Sequence, residues 1–150
     1  MRRQQGFTLV ELLVVLAIVG AVLAVALPSL SMGPGRRDLL NAAHDIAATL
    51  REARSQALIA NHSRYFHADL STNSFWAQGE ARNMLPPGLA MSVRTAEEQI
   101  LEGSATIRFY PDGSSSGGGI TLAVRDVAYD ILVDWLDGGI TIREQVERAN

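Results

Sequence analysis

The sequence predicts an α+β fold: a long N-terminal hydrophobic helix that continues into an amphipathic helix packed on an antiparallel β-sheet or β-sandwich domain. Three observations carry that expectation. Every residue from Leu12 to Leu27 is apolar or glycine. Apolar residues between Leu39 and Ala57 recur with a helical period, and after Asn61 the period becomes two. At 150 residues the chain suits one domain and is too short for two sizeable cores. The absence of cysteine excludes a disulfide framework, a thiolate zinc site and a cysteine nucleophile. A formal net charge of −3 gives no electrostatic reason to expect nucleic acid as a partner.

Residues 1–6 (MRRQQG) are polar and carry Arg2 and Arg3. The 21 residues from Phe7 to Leu27 are apolar or glycine except for Thr8 and Glu11. A helix of that length rises roughly 30 Å, enough to cross a hydrocarbon core. The leading arginines place the short end on the cytoplasmic side and the remainder of the chain across the membrane. A secretory signal peptide has a shorter apolar run, and Ala24-Val25-Ala26 is a weak cleavage site. A plain anchor accounts for the length but not for Glu11, since an ionisable group inside a span costs energy unless partnered.

Gly6-Phe7-Thr8-Leu9-Val10-Glu11-Leu12-Leu13 and the apolar run behind it resemble the processing site and N-terminal helix of type IV pilins and pseudopilins. The resemblance implies that residues 1–6 are a leader cleaved by a prepilin peptidase between Gly6 and Phe7. It also implies methylation of the new Phe7 amine, and pairing of Glu11 with the Phe7 amine of a neighbouring subunit during filament assembly. The physics agrees, because a carboxylate in an apolar bundle is tolerable when it meets a cation. Residues 7–27 are then a transmembrane helix that later becomes filament core.

Residues 28–61 form a kinked region followed by the amphipathic helix. Pro28 predicts a kink or loosening, and Gly33-Pro34-Gly35 is a stronger interruption that departs from the one long helix the resemblance implies. Leu39, Ala43, Ile46, Leu50, Ala53 and Ala57 lie within about 40° of one line on a helical wheel, with Asn41, Asp45, Glu52 and Ser55 opposite. This predicts a helix from Arg36 to Ala60 that packs on the downstream domain, with Asn61 as its stop. A helix lying on the membrane surface is the rival, disfavoured because its polar face is mixed in charge rather than basic.

Residues 62–150 are expected to form a β-rich periplasmic domain of six to eight short strands. Leu89, Met91 and Val93, then Ile107 and Phe109, then Ile120, Leu122 and Val124, and finally Ile140 and Ile142 alternate with polar or small residues, as in half-buried antiparallel strands. Tyr65–Leu70 and Phe75–Gln78 read as a hairpin. Val127–Trp135 reads as a longer strand paired with Ile120–Arg125. The nine residues from Pro111 to Gly119 (PDGSSSGGG) lack both a P-loop lysine and a following helix, so on physics alone they are a mobile turn. With Ile107 and Phe109 before it and Trp135-x-x-x-Gly139 after it, this stretch resembles the C-terminal domain of the H-type minor pseudopilins of type II secretion. The FimT/FimU-type minor pilins of type IV pili share that domain.

No active site emerges. His44, His62 and His67 are scattered rather than spaced as zinc ligands. Ser114, Ser115 and Ser116 lack a nucleophile elbow, and Asp126, Asp130, Asp134 and Asp137 suit a solvated acidic edge better than a calcium loop. From Arg36 onward there are 11 arginines against 15 acidic residues, which disfavours DNA binding. The expectation is a non-enzymatic structural subunit without cofactor or metal. It would be a minor pseudopilin of type II secretion, anchored by one pass in the bacterial inner membrane with its C-terminal domain in the periplasm. The resemblance implies a tip-proximal place linking the tip complex to the major-pseudopilin shaft. Its partners are then the prepilin peptidase, other minor pseudopilins and the major pseudopilin. The alternative is a type IV pilus minor pilin serving pilus assembly or DNA uptake.

Overall fold

In the computed structural model the described residues are 9–30, 33–94 and 103–145, with side chains in the first helix described as far as Val22. The chain divides into two compact units, Met1–Gly33 and Pro34–Asn150. The first unit contains helix α1, Leu9–Leu30. It continues through Pro28 rather than ending there, and the interruption falls instead at Gly33-Pro34-Gly35, which is not helical. Among the described residues no helix is long and apolar enough to cross a membrane.

The second unit opens with α2, Arg36–Ala60. Gly35 cannot supply a side-chain cap, but its N–H donates to Asp38 Oδ2 at 2.9 Å, half of a capping box. The helix ends at Asn61, whose φ of 52° is left-handed, as expected of a residue that tolerates that region. All six residues of the apolar stripe are fully buried, together with Ala47. Four of those seven are alanine, so the helix backbone can approach the sheets closely.

Eight strands are described: β1 Arg64–Asp69, β2 Ser74–Ala77, β3 Asn83–Met84, β4 Ala90–Arg94, β5 Ser104–Phe109, β6 Gly118–Val124, β7 Val127–Val133 and β8 Ile140–Gln145. They form two antiparallel sheets in the orders β3-β2-β1-β5 and β4-β6-β7-β8. The expected hairpin is β1–β2, with Asp69 opposite Ser74. The long strand pairs with β6 as expected, Gly118 facing Val133, but it stops at Val133. Asp134 and the residues after it form a turn. Alternation puts Phe66, Ala68, Ile107 and Phe109 from one sheet, and Ile120, Leu122 and Ile131 from the other, into one core with the stripe of α2. The helix thus covers both sheets rather than a single one.

Candidate functional site

Of the residues with a functional expectation, Glu11 lies in the N-terminal helix, and the structure adds a second place, a corner where the glycine-rich segment meets α2. Gly6 and Phe7 lie outside the described residues. Glu11 lies in the first turn of α1, where a negative charge complements the helix dipole. Around it Leu9, Val10, Leu12, Leu13, Val14 and Val15 are all exposed within the chain. A helix apolar on all sides suits burial in lipid or among other helices.

The Pro111–Gly119 segment is a structured corner, not a loose turn. Asp112 Oδ1 accepts from the Ser114 N–H at 3.0 Å and its hydroxyl at 2.6 Å, and these bonds hold the Asp112 carboxyl below its ordinary pKa. Ser115 bridges to Phe109, and Arg108 N donates to Ser116 Oγ at 3.1 Å. The serines therefore extend the first sheet, while Gly118 begins β6 in the second. Gly117 and Gly118 make the switch with φ of 71° and 145°. A Cβ would stand 3.2 Å from that of Trp135 at Gly117 and 3.0 Å from the Arg94 carbonyl oxygen at Gly118. Glycine is a steric requirement there.

The same corner holds the β7–β8 turn. Ser115 Oγ donates to the Asp134 carbonyl at 2.7 Å and accepts from Gly117 N at 2.9 Å, and Ser115 N donates to the Trp135 carbonyl at 3.0 Å. From α2, Arg54 ties both loops down: Nε donates to the Gly113 carbonyl at 3.2 Å and a terminal nitrogen to that of Asp137 at 2.8 Å. The turn so fixed presents Trp135 and Leu136, 67% and 68% exposed. Leu58 packs beside Gly113 and is itself partly exposed. This is an apolar patch on a rigid frame.

The expected acidic edge divides. Asp126 is exposed, Asp130 accepts from Thr121 Oγ1 and Gln145 Nε2, and Asp134 and Asp137 close the turn by accepting from backbone N–H groups. His44 and His62 are exposed and His67 is half-buried. Among the described residues no group of three or more such side chains could hold a metal. A groove of about 420 Å³ between α2 and β3 is lined by Asp45, Thr49, Phe75, Asn83 and neighbours. It pairs no nucleophile with a base among the described residues. Sequence reasoning missed Arg54 and Leu58, because what gives them their place is contact with loops far along the chain.

Comparison with known proteins agrees at both ends. The prokaryotic N-terminal methylation motif matches residues 1–27, and the type II transport protein GspH family matches residues 42–138. Type II secretion system protein H of Xanthomonas campestris pv. campestris is 31% identical over 140 residues, covering 93% of this chain and 83% of that protein. The fold resembles the minor pseudopilin EpsH of the Vibrio cholerae type 2 secretion system, with a TM-score of 0.57, 10% identity and coverage of 71% and 96% of the two chains. It also resembles the type IV minor pilin FimU of Pseudomonas aeruginosa, with a TM-score of 0.55, 16% identity and coverage of 72% and 90%. With a helix followed by two antiparallel sheets and a family match across most of the second unit, the chain belongs to the GspH family of type II transport proteins.

Proposed function

We propose that this chain is a minor pseudopilin, a non-catalytic subunit of the periplasmic pseudopilus of a type II secretion system. The observation that carries the reading is the 31% identity to a type II secretion protein H over 93% of the chain. Prepilin peptidase cuts between Gly6 and Phe7 and methylates the Phe7 amine. Residues 7–27 hold the subunit in the inner membrane by one pass until the helix leaves the bilayer for the filament core. Helix packing and the pairing of Glu11 with a neighbour's Phe7 amine then replace lipid contacts. The apolar patch at Trp135 and Leu136 meets an adjacent pseudopilin, and the kinship with type II secretion protein H supports a place near the tip, between the tip complex and the major-pseudopilin shaft.

Glu11→Ala tests the assembly step. It is expected to leave cleavage intact, read as the mass of the membrane-bound chain, and to abolish recovery of the subunit in sheared filaments. Normal recovery would overturn the pairing. The near-equal likeness to FimU keeps a second reading, a minor pilin of a type IV pilus. Deleting the gene while measuring protein secretion, twitching motility and DNA uptake together separates them: loss of secretion alone supports the pseudopilin, and loss of motility or uptake alone supports the pilin.

A further inference from the structure

The outer face of the first sheet carries an ordered row of side chains that the pseudopilin reading does not use. Register places His67 opposite Trp76 on β2, and Tyr65 opposite Arg108 on β5. The Tyr65 and His67 rings lie 6.2 Å apart at 27°, and those of His67 and Trp76 5.2 Å apart at 20°. The Arg82 guanidinium sits 4.2 Å from the Trp76 ring centroid, and that of Arg108 lies 5.1 Å from Tyr65 and 6.0 Å from Tyr110. The result is one stack across the sheet: Tyr110, Arg108, Tyr65, His67, Trp76, Arg82.

We propose that this face docks a carboxylate-bearing segment of a partner protein, through the stacked guanidinium groups of Arg82 and Arg108. A guanidinium held beside a ring by cation–π attraction keeps its terminal N–H groups for a carboxylate, which they match in a two-bond fork. The stack has already fixed the side chains, so less entropy is lost on docking. Arg108 Nε is buried and makes no hydrogen bond among the described residues, which leaves the terminal nitrogens as the groups that meet a partner. Among the described strand residues on this face, Asp69 is the only carboxylate. Its Oδ1 is occupied by Ser71 and Thr72, and its Oδ2 stands 4.0 Å from Arg82.

Charge selects the class of partner. From Arg36 onward the chain has 11 arginines and 15 acidic residues, so the face is a positive island on a negative unit. Such an island steers and orients an acidic protein surface. The observations favour protein over nucleic acid, because the inner rings of the row are covered by neighbouring members and offer no free platform for bases, and the unit's net charge opposes a polyphosphate chain. The proposal does not depend on where the subunit sits in a filament.

The test uses the full-length chain in nonionic detergent and a fluorescent Glu/Ser peptide, with binding read by anisotropy. The expected result is salt-sensitive binding that weakens by about tenfold or more in Arg82→Gln/Arg108→Gln and is unchanged in Arg37→Gln/Arg51→Gln, an equal loss of charge at exposed positions of α2. Arg82→Gln alone, at a side chain 59% exposed, is expected to keep the wild-type melting temperature and still weaken binding, which decides the matter if the double variant does not fold. Absence of peptide binding overturns the proposal, as does equal binding by the variants. Tighter binding of an oligonucleotide of equal charge reassigns the face to nucleic acid. Arg82-dependent self-association reassigns it to a second copy of the chain.

Discussion

Single side chains explain why the corner is rigid, and two of them give sharp expectations. Ser115 is 5% exposed and serves as donor to the Asp134 carbonyl and acceptor from Gly117 N. Ser115→Ala leaves the buried Gly117 N–H without its acceptor, a loss of about 1–3 kcal/mol that a denaturant titration measures. Asp69 is a pH-sensitive position. Hydrogen bonds from the Ser71 hydroxyl and the Thr72 backbone N–H pull its pKa from 3.8 to about 2. A carboxyl whose folded pKa is depressed contributes stability that is fully present above the unfolded value and is lost as pH falls through the folded one. The Asp69 contribution therefore disappears between about pH 4 and pH 2. Asp69→Asn is expected to be less stable than wild type at pH 6 and to show a shallower fall in melting temperature across that window. Parallel curves would assign the acid sensitivity to other groups. The hairpin turn after Asp69 was legible beforehand, but the bonds its carboxylate accepts were not, and neither was the role of Arg54, whose acceptors lie 59 and 83 positions away. No local spacing encodes such a contact.

Elements follow their periodicity where they are long and lose legibility where they are short. The bounds of α2 were readable because a stripe sustained over six positions fixes phase, and because Asn61 tolerates the left-handed conformation. Leu50→Ala, at a fully buried position of that stripe, is expected to cost about 2–5 kcal/mol. Ile59→Ser on the same helix, at a residue 84% exposed, should change stability by no more than about 0.5 kcal/mol. Comparable losses at the two sites would mean that α2 is not packed on the sheets through that face. By contrast β3 has two residues, too few to show alternation. The glycine-rich segment was misread for a different reason: its composition is that of a mobile turn, while its conformation is dictated by the approach of Trp135 and the Arg94 carbonyl. The cationic-aromatic row was equally hidden, since its members come from β1, β2, β5 and the residues flanking them, and only register brings them together.

At the scale of the molecule, two apolar surfaces stand exposed among the described residues, and the filament assembly proposed above would give both a use. The exposed side chains of α1 encode a helix that is never meant to face water. That surface was legible in the sequence because it is continuous. The patch at Trp135 and Leu136 was not, because two apolar residues in a turn look like an exception until the turn is seen to be held from three sides, by Ser115, Arg54 and the Asp134 carboxylate. Holding an exposed tryptophan on a fixed backbone lowers the entropy lost when a neighbour covers it, and buried tryptophans are frequent centres of binding energy at protein interfaces. The backbone bonds of Trp135 and Leu136 do not involve their side chains, so Trp135→Ser/Leu136→Ser is expected to leave the melting temperature within a few degrees of wild type while lowering recovery of the subunit in sheared filaments. An unchanged melting temperature with undiminished recovery would remove the patch from the assembly surface. Loss of both would return it to the core.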